Sequence, residues 1–122
     1  MFSHIMLGAN DIQESKVFYD AVLATVGCKS GVIDEHGRCF YITDSGVFAI
    51  TKPINGEQAC NGNGSTVGFA AKSTEEVDAW HIAGTSNGGS ACEEAPGVRG
   101  DLYLAYLRDP SGNKICALYR MG

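Results

Sequence analysis

The stretch Val98-Arg99-Gly100-Asp101-Leu102-Tyr103-Leu104-Ala105-Tyr106-Leu107-Arg108-Asp109-Pro110-Ser111-Gly112-Asn113-Lys114-Ile115-Cys116-Ala117-Leu118-Tyr119 decides how the rest of the chain is read. Two apolar runs flank a turn signal. Proline presets φ at the second turn position, Asp109 can bond its own backbone, and Gly112 supplies a positive φ. The pattern predicts a β-hairpin. Position 116, in the second strand, is where chemistry is expected, and it holds a cysteine.

Upstream, a short strand near Ser90 to Glu93 leads through Pro96-Gly97 into the hairpin, placing Arg99 in a loop. The breaker run Gly84-Thr85-Ser86-Asn87-Gly88-Gly89 ends a helix through Val77, Trp80 and His81-Ile82-Ala83. Ser73 caps that helix, with Glu76 at the box position. Thr66 to Lys72 is the strand before it. Pro53 to Ser65 is polar, glycine-rich and without periodicity, so it reads as a seam between two halves.

The first half has the same order. Phe2 to Gly8 is a strand, and Asn10 or Asp11 caps a helix with Glu14 three residues beyond Asp11. Val17, Phe18, Ala21 and Val22 run at helical spacing to Gly27. Strands follow at roughly Cys28 to Glu35 and Gly37 to Thr43, turning at His36-Gly37, and Asp44-Ser45-Gly46 turns into Val47 to Lys52. A shift of 62 places Phe18 on Trp80, Ala21 on Ala83, Gly27 on Gly89, Tyr41 on Tyr103 and His4 on Thr66. Small turn insertions bring Asp44 onto Asp109, Gly46 onto Gly112 and Ala49 onto Cys116. A duplicated strand-helix-strand-strand-strand unit accounts for both halves. The chain reads as one domain of 122 residues, with modules of about 1–53 and 65–122 and a linker at 54–64.

Composition narrows the function classes. Hydrophobic residues are 44% and charged residues 19%, which marks a chain that buries a core. The net charge of −5 without a basic cluster argues against nucleic acid and anionic membranes as partners. No apolar run approaches the roughly 20 residues that cross a bilayer. Met1 to Leu7 carries no basic leader or cleavage signal, so a secretory peptide is not expected. Five cysteines, at 28, 39, 60, 92 and 116, include no C-x-x-C pair, which disfavours a disulfide framework or zinc ribbon and suits a reducing cytoplasm.

Three segments carry a resemblance. Ser65-Thr66-Val67-Gly68-Phe69-Ala70-Ala71-Lys72-Ser73-Thr74-Glu75-Glu76-Val77-Asp78-Ala79-Trp80, Ala95-Pro96-Gly97-Val98-Arg99 and Arg108-Asp109-Pro110-Ser111-Gly112-Asn113-Lys114-Ile115, set in the duplicated order, resemble the vicinal oxygen chelate superfamily. That group includes glyoxalase I, fosfomycin- and bleomycin-resistance proteins and ring-cleaving dioxygenases. The resemblance implies an α+β fold: two βαβββ modules forming a curved mixed sheet around a cleft, with helices outside. It also implies a homodimer, with the cleft often built between subunits.

The family's metal enzymes place ligands in the first, fourth, fifth and eighth strands. Carried over, those positions are His4, Ala49, Thr66 and Cys116. Only His4 keeps the usual ligand type. Ala49 has no donor, a threonine hydroxyl is a poor ligand for divalent metals, and a glutamate is expected at 116. The preferred reading is therefore a small-molecule-binding protein, similar to the bleomycin-resistance branch, that encloses a ligand without a cofactor. Cys116 then acts as a small apolar residue and His4 as a donor or acceptor on the cavity wall. The alternatives are a glyoxalase-like lyase or dioxygenase with a divalent metal in a rearranged site at His4 and Cys116, and a Cys116–His4 nucleophile pair.

Candidate ligand contacts are His4, Tyr41, Ala49, Thr51, Thr66, Arg99, Tyr103 and Cys116. Arg99 can clamp a carboxylate or phosphate, or can form a surface ion pair with Glu93, Glu94 or Asp101. Tyr41 and Tyr103 are candidate cavity tyrosines. Small residues at Ala49, Thr66 and Gly68 leave open volume suited to a ligand.

Overall fold

A computed structural model describes all residues 1–122. The elements run β1 (His4–Gly8), α1 (Ile12–Ala24), β2 (Val32–Ile33), β3 (Cys39–Thr43), β4 (Gly46–Thr51), β5 (Val67–Ala70), α2 (Thr74–Ser86), β6 (Ser90–Arg99), β7 (Leu102–Arg108) and β8 (Lys114–Arg120). Both halves are βαβββ modules, and the fold is α+β as expected. The caps fall where the sequence puts them: Asp11 accepts from the Glu14 amide, and Ser73 from the Glu76 amide. Each satisfies an amide that a helix start leaves without a partner.

Hydrogen bonding divides the strands into two four-stranded mixed sheets, ordered β1-β4-β3-β2 and β5-β8-β7-β6, instead of one continuous sheet. Their registers show the duplication. Met6 pairs with Ala49 in the first sheet, and Gly68, its counterpart at the shift of 62, pairs with Cys116 in the second.

Strand alternation sorts the side chains. Phe48 and Ile50 of the first sheet, and Ala105, Leu107, Ile115 and Ala117 of the second, join Phe18, Tyr19, Val22, Leu23, Val77 and Trp80 of the helices in one core. The helices pack on each other, α1 against β4 and α2 against β6, β7 and β8. One side of each sheet therefore faces the helices, and the other side carries no helix.

The Asp109–Asn113 turn does more than join β7 to β8. Asp109 is buried and accepts from the Ser111 and Asn113 amides, from Asn113 Nδ2 and from the Tyr19 hydroxyl. Asn113 Nδ2 also donates to the Gly8 carbonyl, the Asn10 amide to Ser111 Oγ, and Asn61 Nδ2 to the Gly112 carbonyl. The turn thus ties the second module to the end of β1, to α1 and to the linker.

Three local expectations need correction. The strand expected over Cys28 to Glu35 shrinks to Val32–Ile33, because the Cys28 amide returns to the Leu23 carbonyl and closes the helix end. Gly84 does not end α2, which continues to Ser86. A Cβ at Gly84 would lie 2.2 Å from Leu107 Cδ1, so glycine permits close helix–sheet approach there. The loop expected around Ala95 to Arg99 belongs to one strand, β6, whose register shifts between Cys92 and Gly97. Glu93 absorbs the bulge at φ 58°, the one non-glycine residue with positive φ. Pro96 is tolerated because β6 is an edge strand.

Candidate functional site

Pairing and alternation place most candidate residues on the sides without helices. On the first sheet His4 pairs with Val47, and Ala49 sits between Met6 and Phe40. Ala49 is fully buried yet outside the core cluster, shielded by those larger neighbours. Thr51 ends the same strand, its hydroxyl donating to the Lys52 carbonyl. On the second sheet Cys116 lies between Gly68 and Tyr106, and Leu104 pairs with Leu118. Thr66 is exposed immediately before β5.

Tyr41 and Tyr103 face the helices. The Tyr41 hydroxyl donates to Asp20 over 2.8 Å and the Tyr103 hydroxyl to Asp78 over 2.7 Å. Each tyrosine therefore ties its sheet to the helix of its own module. Burial, followed by the hydrogen bond to the Asp20 carboxylate, pushes the Tyr41 hydroxyl far above its ordinary pKa, so it stays a neutral donor.

A cavity of about 700 Å³ opens beside His4. Its lining includes Val47, Gly68 and the rings of Tyr41, Phe48 and Phe69, and it reaches the helix side of the first sheet at Leu23 and Val26. Of the candidates, His4 and Tyr41 line it; Ala49, Thr51, Thr66, Arg99, Tyr103 and Cys116 do not.

His4 and Cys116 belong to different sheets. His4 Nδ1 lies 2.8 Å from Ser3 Oγ. Burial pushes the Cys116 thiol up, Arg99 and Lys114 draw it down, and Glu93 adds to the rise. The charges that act on the thiol are therefore those three, and a raised thiol is mostly protonated near neutral pH.

Arg99 ends β6 and lies 3.6 Å from Glu94 and 3.9 Å from Glu93, while Asp101 pairs with Arg120 instead. Two contacts around it were not anticipated. The Arg99 guanidinium sits 5.3 Å and Lys114 Nζ 4.8 Å from the centroid of one ring, Tyr106, and Lys114 bonds Glu93. Period-two alternation could have found this cluster, since Lys114 lies two residues before Cys116, and Tyr106 is its cross-strand partner.

The sequence pattern of the Glyoxalase/Bleomycin resistance protein/Dioxygenase superfamily matches residues 1–117. The chain belongs to this superfamily. A glyoxalase/bleomycin resistance protein from Albidiferax ferrireducens T118 is 61% identical in sequence, covers 98% of each chain and superposes with a TM-score of 0.96. Two more distant structures share the fold. A glyoxalase-related enzyme from Fulvimarina pelagi is 18% identical, over 98% of this chain and 88% of that one, at a TM-score of 0.78. A lactoylglutathione lyase from Agrobacterium tumefaciens is 20% identical, over 98% and 92%, at 0.69. No curated protein matches the chain.

The superfamily's metal enzymes give a specific test. The four ligand positions hold an imidazole, a methyl group, a hydroxyl and a thiol whose pKa is raised. Catalytic zinc sites take three protein ligands and structural sites four, drawn from histidine, thiolate and carboxylate. His4, Ala49, Thr66 and Cys116 do not fit that requirement. No group of three or more His, Cys, Asp or Glu side chains is arranged to hold a metal ion elsewhere.

Proposed function

We propose that this superfamily member binds a small molecule against the sheet faces that carry no helix, and does so without metal chemistry. The observation that carries this reading is the donor set: two of the four ligand positions, Ala49 and Thr66, offer a divalent metal no effective ligand. What remains there is small. An added Cβ at Gly68 would meet nothing within 4 Å, so open space lies over that side of the second sheet.

A homodimer completes the enclosure in this reading. The first sheet leaves Met6, Val32 and Ile42 exposed on its open side, with Ile42 71% exposed. A second copy covering that face would bury this apolar surface and close the cleft, as the superfamily resemblance implies. No helix of the chain is long and apolar enough to cross a membrane. The five free thiols support a reducing compartment such as the cytoplasm.

Calorimetric titration with nickel, zinc and manganese tests the central point. The expected outcome is no tight stoichiometric binding by any of the three. Tight binding that His4→Ala abolishes would overturn the metal-free reading in favour of a metal-dependent lyase or dioxygenase. Sedimentation at micromolar concentration tests the dimer, and a monomer there would contradict it.

A further inference from the structure

We propose that Arg99 and Lys114, stacked on Tyr106, form the recognition site for the carboxylate of a small apolar or aromatic acid, with Glu93 as its displaceable internal stand-in. The proposal rests on the reading that the ligand lies against the open face of the second sheet, and it names the chemical class of that ligand.

Four observations converge on it. First, two cations from the strands on either side of β7 lie over one aromatic ring, Tyr106. Second, Glu93 places its own carboxylate between them, bonding Lys114 and lying 3.9 Å from Arg99. The space between the cations therefore already accommodates a carboxylate.

Third, that placement is held by unfavourable backbone. Glu93 alone among the non-glycine residues adopts positive φ, and the β6 register breaks to allow it. Fourth, Arg99 is underused. Its closest carboxylate oxygens, at 3.6 and 3.9 Å, are too far for hydrogen bonds, so the guanidinium fork is available to grip a carboxylate side-on.

The neighbouring surface supplies the apolar part of the class. Leu104 and Leu118 pair directly beside Tyr106 and Cys116, and Gly68 leaves open space above that floor. An acid with a flat or apolar body would lay its body there and direct its carboxylate at Arg99 and Lys114. Glu93 would then swing out to solvent.

The test is NMR titration of the full chain with benzoate, with benzyl alcohol as the neutral counterpart. Benzoate is expected to shift the amides of Arg99, Tyr106 and Lys114, and benzyl alcohol to leave them in place. Glu93→Gln empties the site of its competing charge and should tighten benzoate about tenfold, whereas Arg99→Leu and Lys114→Met should each weaken it about tenfold or more.

Equal binding of benzyl alcohol, insensitive to Arg99→Leu, would overturn carboxylate recognition while leaving enclosure of a ligand intact. Benzoate shifts confined to other residues, or no benzoate binding by either wild type or Glu93→Gln, would also overturn it. Inorganic phosphate outcompeting benzoate would overturn the assigned class. Tight metal binding in the calorimetric titration, with benzoate recognition unchanged, would instead remove only the metal-free reading.

Discussion

The Tyr19 hydroxyl donates to the Asp109 carboxylate over 2.6 Å, joining α1 of the first module to the β7–β8 turn of the second across 90 residues. Both groups are buried. Burial, and then the adjacent Asp109 charge, push the tyrosine hydroxyl well above its ordinary pKa, which favours the neutral donor.

Removing either end should loosen the two modules. Tyr19→Phe leaves Asp109 one donor short in a buried site and should cost about 1–3 kcal/mol. Asp109→Ala strands the donors on Tyr19, Ser111 and Asn113 together and should cost more than Tyr19→Phe. Urea midpoints at constant slope give the ordering, and equal midpoints for wild type and Asp109→Ala would refute the role assigned to the turn.

Two glycines should respond differently to the same substitution. Gly84→Ala puts a methyl group 2.2 Å from Leu107 Cδ1, between α2 and the second sheet. The overpacking should outweigh alanine's better helix propensity, for a net loss of about 1–2 kcal/mol. Gly68→Ala meets open space and should stay within about 0.5 kcal/mol of wild type. Thermal or urea unfolding reads both.

Asp20 should make part of the stability sensitive to acid. Burial raises its pKa, but the Lys16 hydrogen bond, the Gly31 amide and the Tyr41 hydroxyl together hold it below the ordinary 3.8. A carboxyl lowered by folding stabilises the protein above its unfolded value, and that contribution is lost as pH falls through the folded value. The wild-type urea midpoint should therefore drop below pH 3.8 more steeply than that of Asp20→Asn. Parallel acid limbs would count against the contribution.

Cysteine reactivity separates a packing thiol from a nucleophile. Burial raises the Cys116 pKa, whereas Cys60 is exposed. Alkylation by iodoacetamide near neutral pH, followed by peptide mass spectrometry, should label Cys60 first and Cys116 slowly. Rapid, pH-dependent labelling of Cys116 that His4→Ala abolishes would restore the nucleophile pair.

Much of the fold is written locally. Asp11 with Glu14 and Ser73 with Glu76 mark both helix starts, because capping needs only residues three apart. The shift of 62 maps Met6 onto Gly68, and the turn insertions that bring Ala49 onto Cys116 map one parallel strand pair onto the other. The less legible parts depend on partners far along the chain. Gly84 reads as a helix breaker until Leu107 arrives beside it, and β6 reads as a strand and a loop until Glu93 takes the bulge.

The candidate site divides the same way. Sequence by itself determined the superfamily and left two of its usual ligand positions without an effective donor, because Ala49 and Thr66 carry their chemistry wherever they fold. Only the tertiary structure decided what faces what. It turned Tyr41 and Tyr103 toward Asp20 and Asp78, put His4 and Cys116 on separate sheets, and gathered Arg99, Lys114 and Glu93 around Tyr106. Strand pairing sets those neighbours, and register is fixed by burial of one sheet face across the whole chain.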